Sequence, residues 1–185
     1  MDEGEWAAAT RHRFLDAVRE GTITGAAFDR WLIQDALFVA DLLGFQARLL
    51  ARAPRPAQAV LANGCVALVQ ELDWFEEQAT RRGLDLDQPA LTATLAYRDL
   101  LTRLDSQPFS VAATALWVLE RVYLLAWSSA KSSTSPFSEF VDHWTAPGFS
   151  VYVDELARLA VVDGNEELVS EVLGHEVAFW EMALG

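Results

Sequence analysis

Residues 114–127 read TALWVLERVYLLAW, an almost unbroken apolar run interrupted by one glutamate and one arginine side by side. Ala113, Leu116, Trp117, Glu120, Tyr123, Leu124 and Trp127 recur at spacings of three and four, the period of a helix and not of a strand. Neighbouring residues on a helix point about 100° apart, so Glu120 and Arg121 cannot share one environment. Arg121 shares a face with Val118 and Leu125, and its long stem can carry the charge out to water. A glutamate has no such reach. The spacing predicts Glu120 facing inward, on an apolar stripe.

The same period runs through the rest of the chain. It predicts helices at about 5–20, 25–53, 56–82, 88–105, 109–130, 137–144, 148–162 and 165–184. ARAPRPAQ, RRGLDLDQP, SQPFS, KSSTSPFS, TAPGFS and VDGNEE are the breaks between them. Thr24 is placed to cap the second helix, and Asp163 or Asn165 the last. No run alternates with period two for long enough to be a strand. The expected fold is an all-α helical bundle, with residues 1–185 forming a single domain.

The chain of 185 residues carries a formal net charge of −13, and its few basic residues never cluster with aromatics. Phosphate binding needs a basic face, so nucleic acid is not an expected partner. With Cys65 as the only cysteine, neither an intrachain disulfide nor a thiolate zinc cluster can form. The start, MDEGEWAAATRHR, lacks the basic and apolar sections of a signal peptide, and no stretch is long enough to span a membrane without charge. A cytoplasmic protein without a membrane partner is expected.

In a bundle, a site is built from side chains that project inward from several helices. Three carboxylates interrupt apolar stripes. Asp35 falls among Phe28, Trp31, Leu32, Phe38, Val39 and Leu42; Glu176 among Val169, Val172, Leu173, Phe179, Trp180 and Ala183; Glu120 in the stretch quoted above. A buried carboxylate without partners is costly, so each must be hydrogen-bonded, paired or neutral. Together they suggest an acid-lined apolar cavity, suited to acid/base chemistry or to holding a flat hydrogen-bonding ligand. Tyr97, in register with Thr94, Leu101 and Leu104, could reach the same cavity. Carboxylate bundles also hold iron pairs, but neither His12, His143 nor His175 follows a glutamate by three residues. No metal site is expected.

Several of these residues belong to longer patterns. DAVREGTITGAAFDRWLIQDALFVADLLGFQARLLARAP (16–54), DHWTAPGFSVYV (142–153) and HEVAFWEMA (175–183) resemble, in order, segments of the thiaminase II (TenA) family. The resemblance implies the heme oxygenase-like helical bundle of that family. It also implies that Asp35 hydrogen-bonds the aminopyrimidine of a substrate, with Phe38 at the ring's edge. By the same resemblance Glu176 is the acid/base, and Tyr97 and Trp144 line the pocket. Two departures stand out. The family's usual nucleophile is the cysteine of P-C-x-W, and Ala115 of TALW stands in its place; Ala36 of QDALF stands where tyrosine is common. The chain therefore resembles the cysteine-lacking TenA_E branch, with Glu120 as the further glutamate on the same helix. Cys65, in NGCVALV, lies on another helix and is not expected to replace the missing thiol.

The resemblance implies a hydrolase in salvage of the thiamin pyrimidine. Its substrate would be 4-amino-5-aminomethyl-2-methylpyrimidine or the N-formyl derivative, converted towards hydroxymethylpyrimidine. Glu120 and Glu176 would be catalytic, Asp35, Phe38, Tyr97 and Trp144 would bind substrate, and no cofactor would be required. Thiaminase activity itself is not expected, because Ala115 cannot form a covalent intermediate. A non-catalytic pyrimidine-binding or regulatory protein and a metal-dependent oxidase on the same fold are the alternatives. Abundant apolar residues and the habits of the family also lead us to expect a homo-oligomer, a dimer or a tetramer.

Overall fold

Thr24 begins the long helix that organises the bundle: its hydroxyl accepts from the Ala27 N–H at 3.2 Å. In the computed structural model, which describes residues 2–185, this is α3. The order is α1 (Glu3–Thr10), α2 (Arg13–Glu20), α3 (Gly25–Ala51), α4 (Arg55–Arg82) and α5 (Thr92–Leu104), followed by α6 (Phe109–Ser129), α7 (Ser138–Trp144), α8 (Pro147–Ala157) and α9 (Glu166–Leu184). No strand occurs among the described residues, so the protein is all-α.

The expected helix at 5–20 is two. His12 breaks it: its Nδ1 accepts from the Phe14 N–H at 3.2 Å, capping α2, while Nε2 pairs with Glu181 of α9 at 2.9 Å. The break has a use. It ends α1 at Thr10 and leaves the Ala9 carbonyl free to accept the Trp180 indole N–H at 2.9 Å. Gly21 and Gly83 then close α2 and α4 in the left-handed conformation that glycine adopts without strain.

Other ends differ from the sequence reading for local reasons. α5 starts at Thr92, not near 88, because Gln34 of α3 takes over the preceding backbone: its amide donates to the Pro89 carbonyl (3.1 Å) and accepts from the Leu91 N–H (2.8 Å). α8 ends at Ala157, short of the expected 162. Asn165 occupies the N-cap position of α9 without capping it, since its side-chain amide donates back to the Val161 carbonyl.

α6 is the central helix, packed by α1, α2, α3, α7, α8 and α9. Every residue from Ala112 to Glu120 is buried, so that stretch has no exposed face at all. Val118, expected on the outer side with Arg121, is buried as well; α1 packs against α6, and the Arg121 guanidinium sits 5.7 Å from the Trp6 ring. By length and composition α6 is apolar enough to cross a membrane, and in this fold that apolarity serves the interior of the bundle. Around α6 the aromatics interlock: Trp127 stands 4.4 Å from Trp144 and 4.9 Å from Trp31, and Phe14 stacks on Trp180 at 5.3 Å. Burying a phenylalanine such as Phe14 or Phe28 contributes roughly 1.5–3 kcal/mol, and each edge or offset contact adds about 0.5–1.5 kcal/mol.

Candidate active site

Asp35 is 2% exposed, near the middle of α3. Its Oδ2 accepts the Tyr123 hydroxyl of α6 at 3.0 Å. Burial raises its pKa well above the ordinary carboxyl range; the Tyr123 hydrogen bond opposes this, and the nearby charges of Glu176, Glu71 and Glu120 add to it. Glu120 is buried and accepts no hydrogen bond from a described residue. Burial, then the charges of Glu71 and Glu176, push its pKa up to about 8. Glu176 of α9 accepts the Tyr97 hydroxyl on Oε2 at 2.7 Å, and burial pushes it up to about 7 against that bond.

Asp35 and Glu120 open into one cavity of about 500 Å³ between α3, α4, α6, α7 and α8. Phe38 and Trp144 form part of its wall, as expected. Tyr97 and Glu176 do not line it. Phe38 packs on Tyr97 with ring centroids 4.7 Å apart, which leaves Tyr97 one layer behind the wall with its hydroxyl committed to Glu176. The expectation that Tyr97 and Glu176 reach the cavity directly is corrected: they form a buried pair behind it, within electrostatic range of Asp35 and Glu120. His175, beside them, is half-buried.

The cavity contains polar groups that the stripes did not single out. Glu71 of α4 accepts the Trp144 indole N–H on Oε1 at 2.8 Å, and its Oε2 lies 2.7 Å from His143 Nε2. Its position was readable, because Ala57, Leu61, Gly64, Leu68 and Phe75 form a row that passes through 71; the exposed Asp73, Glu76 and Glu77 around it disguise the pattern. On the other wall the Tyr152 hydroxyl of α8 donates to Gln46 of α3 at 3.1 Å, and Gln46 donates to the Leu61 carbonyl at 2.9 Å. Gly64 makes this possible, since a Cβ there would collide with both the Gln46 amide and the Tyr152 hydroxyl. No lysine or arginine lines the cavity.

Ala115 is buried, and Cys65 is absent from the cavity wall, its thiol pushed up by burial. Neither offers a thiolate. Ala36 is also buried and off the wall. Among the described residues, no three His, Cys, Asp or Glu side chains are grouped to hold a metal ion.

A family model described as TENA/THI-4/PQQC matches residues 3–185. The chain belongs to that family. A Glycine max protein named as a probable bifunctional TENA-E protein is 32% identical, the match covering 96% of this chain and 87% of the relative. A TenA homologue from Pyrococcus furiosus superposes with a TM-score of 0.90 at 28% identity, over 98% of this chain and 95% of that one. The TenA fold alone extends further. A TenA family transcription regulator from Silicibacter superposes with a TM-score of 0.88 at 19% identity, over 98% of this chain and 92% of the other. Within the TenA family, then, this chain combines the bundle with Ala115 in its TALW segment and a buried glutamate five residues later.

Proposed function

We propose that this TenA family member is a hydrolase that removes the amine from an aminomethylpyrimidine, of the 4-amino-5-aminomethyl-2-methylpyrimidine type or its N-formyl derivative, without a cysteine nucleophile. The observation that carries the reading is a pair of buried carboxyls, Asp35 and Glu120, opening into one aromatic-walled cavity with no lysine or arginine. An aminopyrimidine presents a ring nitrogen beside an amino group, one acceptor next to one donor. A protonated carboxyl offers the complement, and burial favours that form of Asp35. Tyr123 fixes the carboxyl's orientation. Phe38 and Trp144 stack on the ring, while Tyr97 holds Glu176 from behind. Glu120, pushed to about 8 and open to the cavity, is suited to exchange a proton with the leaving group near neutrality, and Glu176, pushed to about 7, acts on it by charge from behind the wall.

Self-association, as a dimer or tetramer, belongs to the same proposal. Val66 and Val69 on α4 and Val151 on α8 are large apolar side chains left in solvent, and Val151 is part of the cavity wall. Sedimentation that finds only monomer refutes it.

The test is incubation of the purified protein with the aminomethylpyrimidine, its N-formyl derivative and thiamin, followed by chromatography. Hydroxymethylpyrimidine is expected from one or both of the first two. Thiamin is expected to turn over far more slowly, because displacing the thiazolium lacks its thiol nucleophile. Tight binding of the pyrimidines without product from any of them favours the non-catalytic reading instead.

A further inference from the structure

We propose that Glu71 is a positioning residue of this site: held from behind by Trp144 and His143, its carboxylate supplies a fixed negative charge beside Glu120 and so makes Glu120 the acid of the reaction. The inference rests on the function proposed above and assigns the role of Glu120 within it.

Glu71 and Glu120 line the same cavity, and no lysine or arginine there pairs with either. Their surroundings differ. Glu71 Oε1 accepts the Trp144 indole N–H at 2.8 Å, Oε2 lies 2.7 Å from His143 Nε2, and the side chain is 20% exposed. Glu120 is buried and has no such donor. Two like charges facing one low-dielectric space disfavour each other, and the proton stays on the group that is less well solvated. That group is Glu120. The other titratable side chains around it are carboxyls, tyrosines and one histidine, the histidine hydrogen-bonded to Glu71. They are Asp35 on α3, Tyr123 on α6, His143 on α7, Tyr152 and Glu155 on α8, and Glu176 on α9. Arg121, next in sequence, is turned towards Trp6 and Trp117. The rise of Glu120 to about 8, caused first by burial and next by the charge of Glu71, agrees with this geometry.

The step then balances. The exocyclic C–N bond breaks with its electron pair passing to nitrogen, which takes the proton of Glu120. A water oxygen bonds to the carbon and its proton passes to the solvent in the cavity, while Glu176 acts only through its charge from behind the wall. The products are the alcohol and ammonia, or formamide from the N-formyl compound, and solvent returns a proton to Glu120.

Two measurements test the proposal, one needing no substrate. The carboxylic-acid infrared band that disappears in Glu120→Gln reports the Glu120 proton directly. In wild type it should be lost as pH rises through about 8. In Glu71→Gln the loss should move down by roughly 0.5–1 pH unit, and the alkaline limb of kcat/KM should move with it. Glu71→Asp keeps the charge and should keep both near wild type. Glu71→Ala, which puts no amide beside His143, gives a second reading should the glutamine variant fold poorly. An infrared titration that stays in place in the charge-removing variants, or moves up, overturns the role of Glu71 even if the enzyme turns over as proposed. A downward shift in a protein that turns over none of the pyrimidines supports the charge coupling while refuting the proposed reaction.

Discussion

Glu120→Gln is expected to lower turnover by roughly 10²–10⁴ while the bundle stays folded, the usual cost of removing a positioned acid or base. The amide fills the same space and leaves Asp35, Phe38 and Trp144 untouched, so the dissociation constant of the pyrimidine should change much less than kcat. Stability gives an independent check on folding. The folded-state pKa of Glu120 is raised from 4.5 to about 8. Its stabilising contribution is therefore present in full below about 4.5 and lost as pH rises through about 8. Glutamine does not titrate, so the Tm of the variant should gain on wild type across that interval and keep the gain above it. Arg121→Gln is the control: its guanidinium lies over Trp6 and Trp117, away from the cavity, and turnover should stay near wild type. Normal rates in Glu120→Gln would remove Glu120 from the chemistry.

Asp35→Ala is expected to act on recognition instead. Two hydrogen bonds to the ring are lost, each worth about 1–1.5 kcal/mol net, which corresponds to a rise in Kd of roughly 30–150-fold. The Tyr123 hydroxyl, released from Asp35, still faces the cavity and can be solvated, so the fold should tolerate the change. Calorimetric titration with hydroxymethylpyrimidine measures the loss without depending on turnover. An unchanged affinity would mean that the ring is read elsewhere, with the Tyr152–Gln46 pair the next group to examine.

Much of this site could be read before the structure because a carboxylate on an apolar stripe is conspicuous. Asp35, Glu120 and Glu176 each interrupt rows of leucine, valine and aromatics, and all three are buried. Helical phase, however, reports a direction and not a depth. Tyr97 and Glu176 point inward as expected, yet Phe38 places Tyr97 behind the wall and the pair does not face the cavity. Glu71 escaped notice because the stripe of α4 is built partly from small residues and crowded by exposed acids. The break at His12 was hidden for a different reason. Histidine is a rare cap, and its role depends on Glu181, far away in sequence.

The aromatic packing described above has an optical consequence. Trp31, Trp127, Trp144 and Trp180 each stand between 4.4 and 6.0 Å from another indole of the group. At such separations, excitation absorbed by any one of them is shared among all before it is emitted. Trp144 alone of the four is also a wall of the cavity. A ring stacked on it therefore touches a common chromophore, and the occupancy of the site is written into the ultraviolet emission of the whole interior.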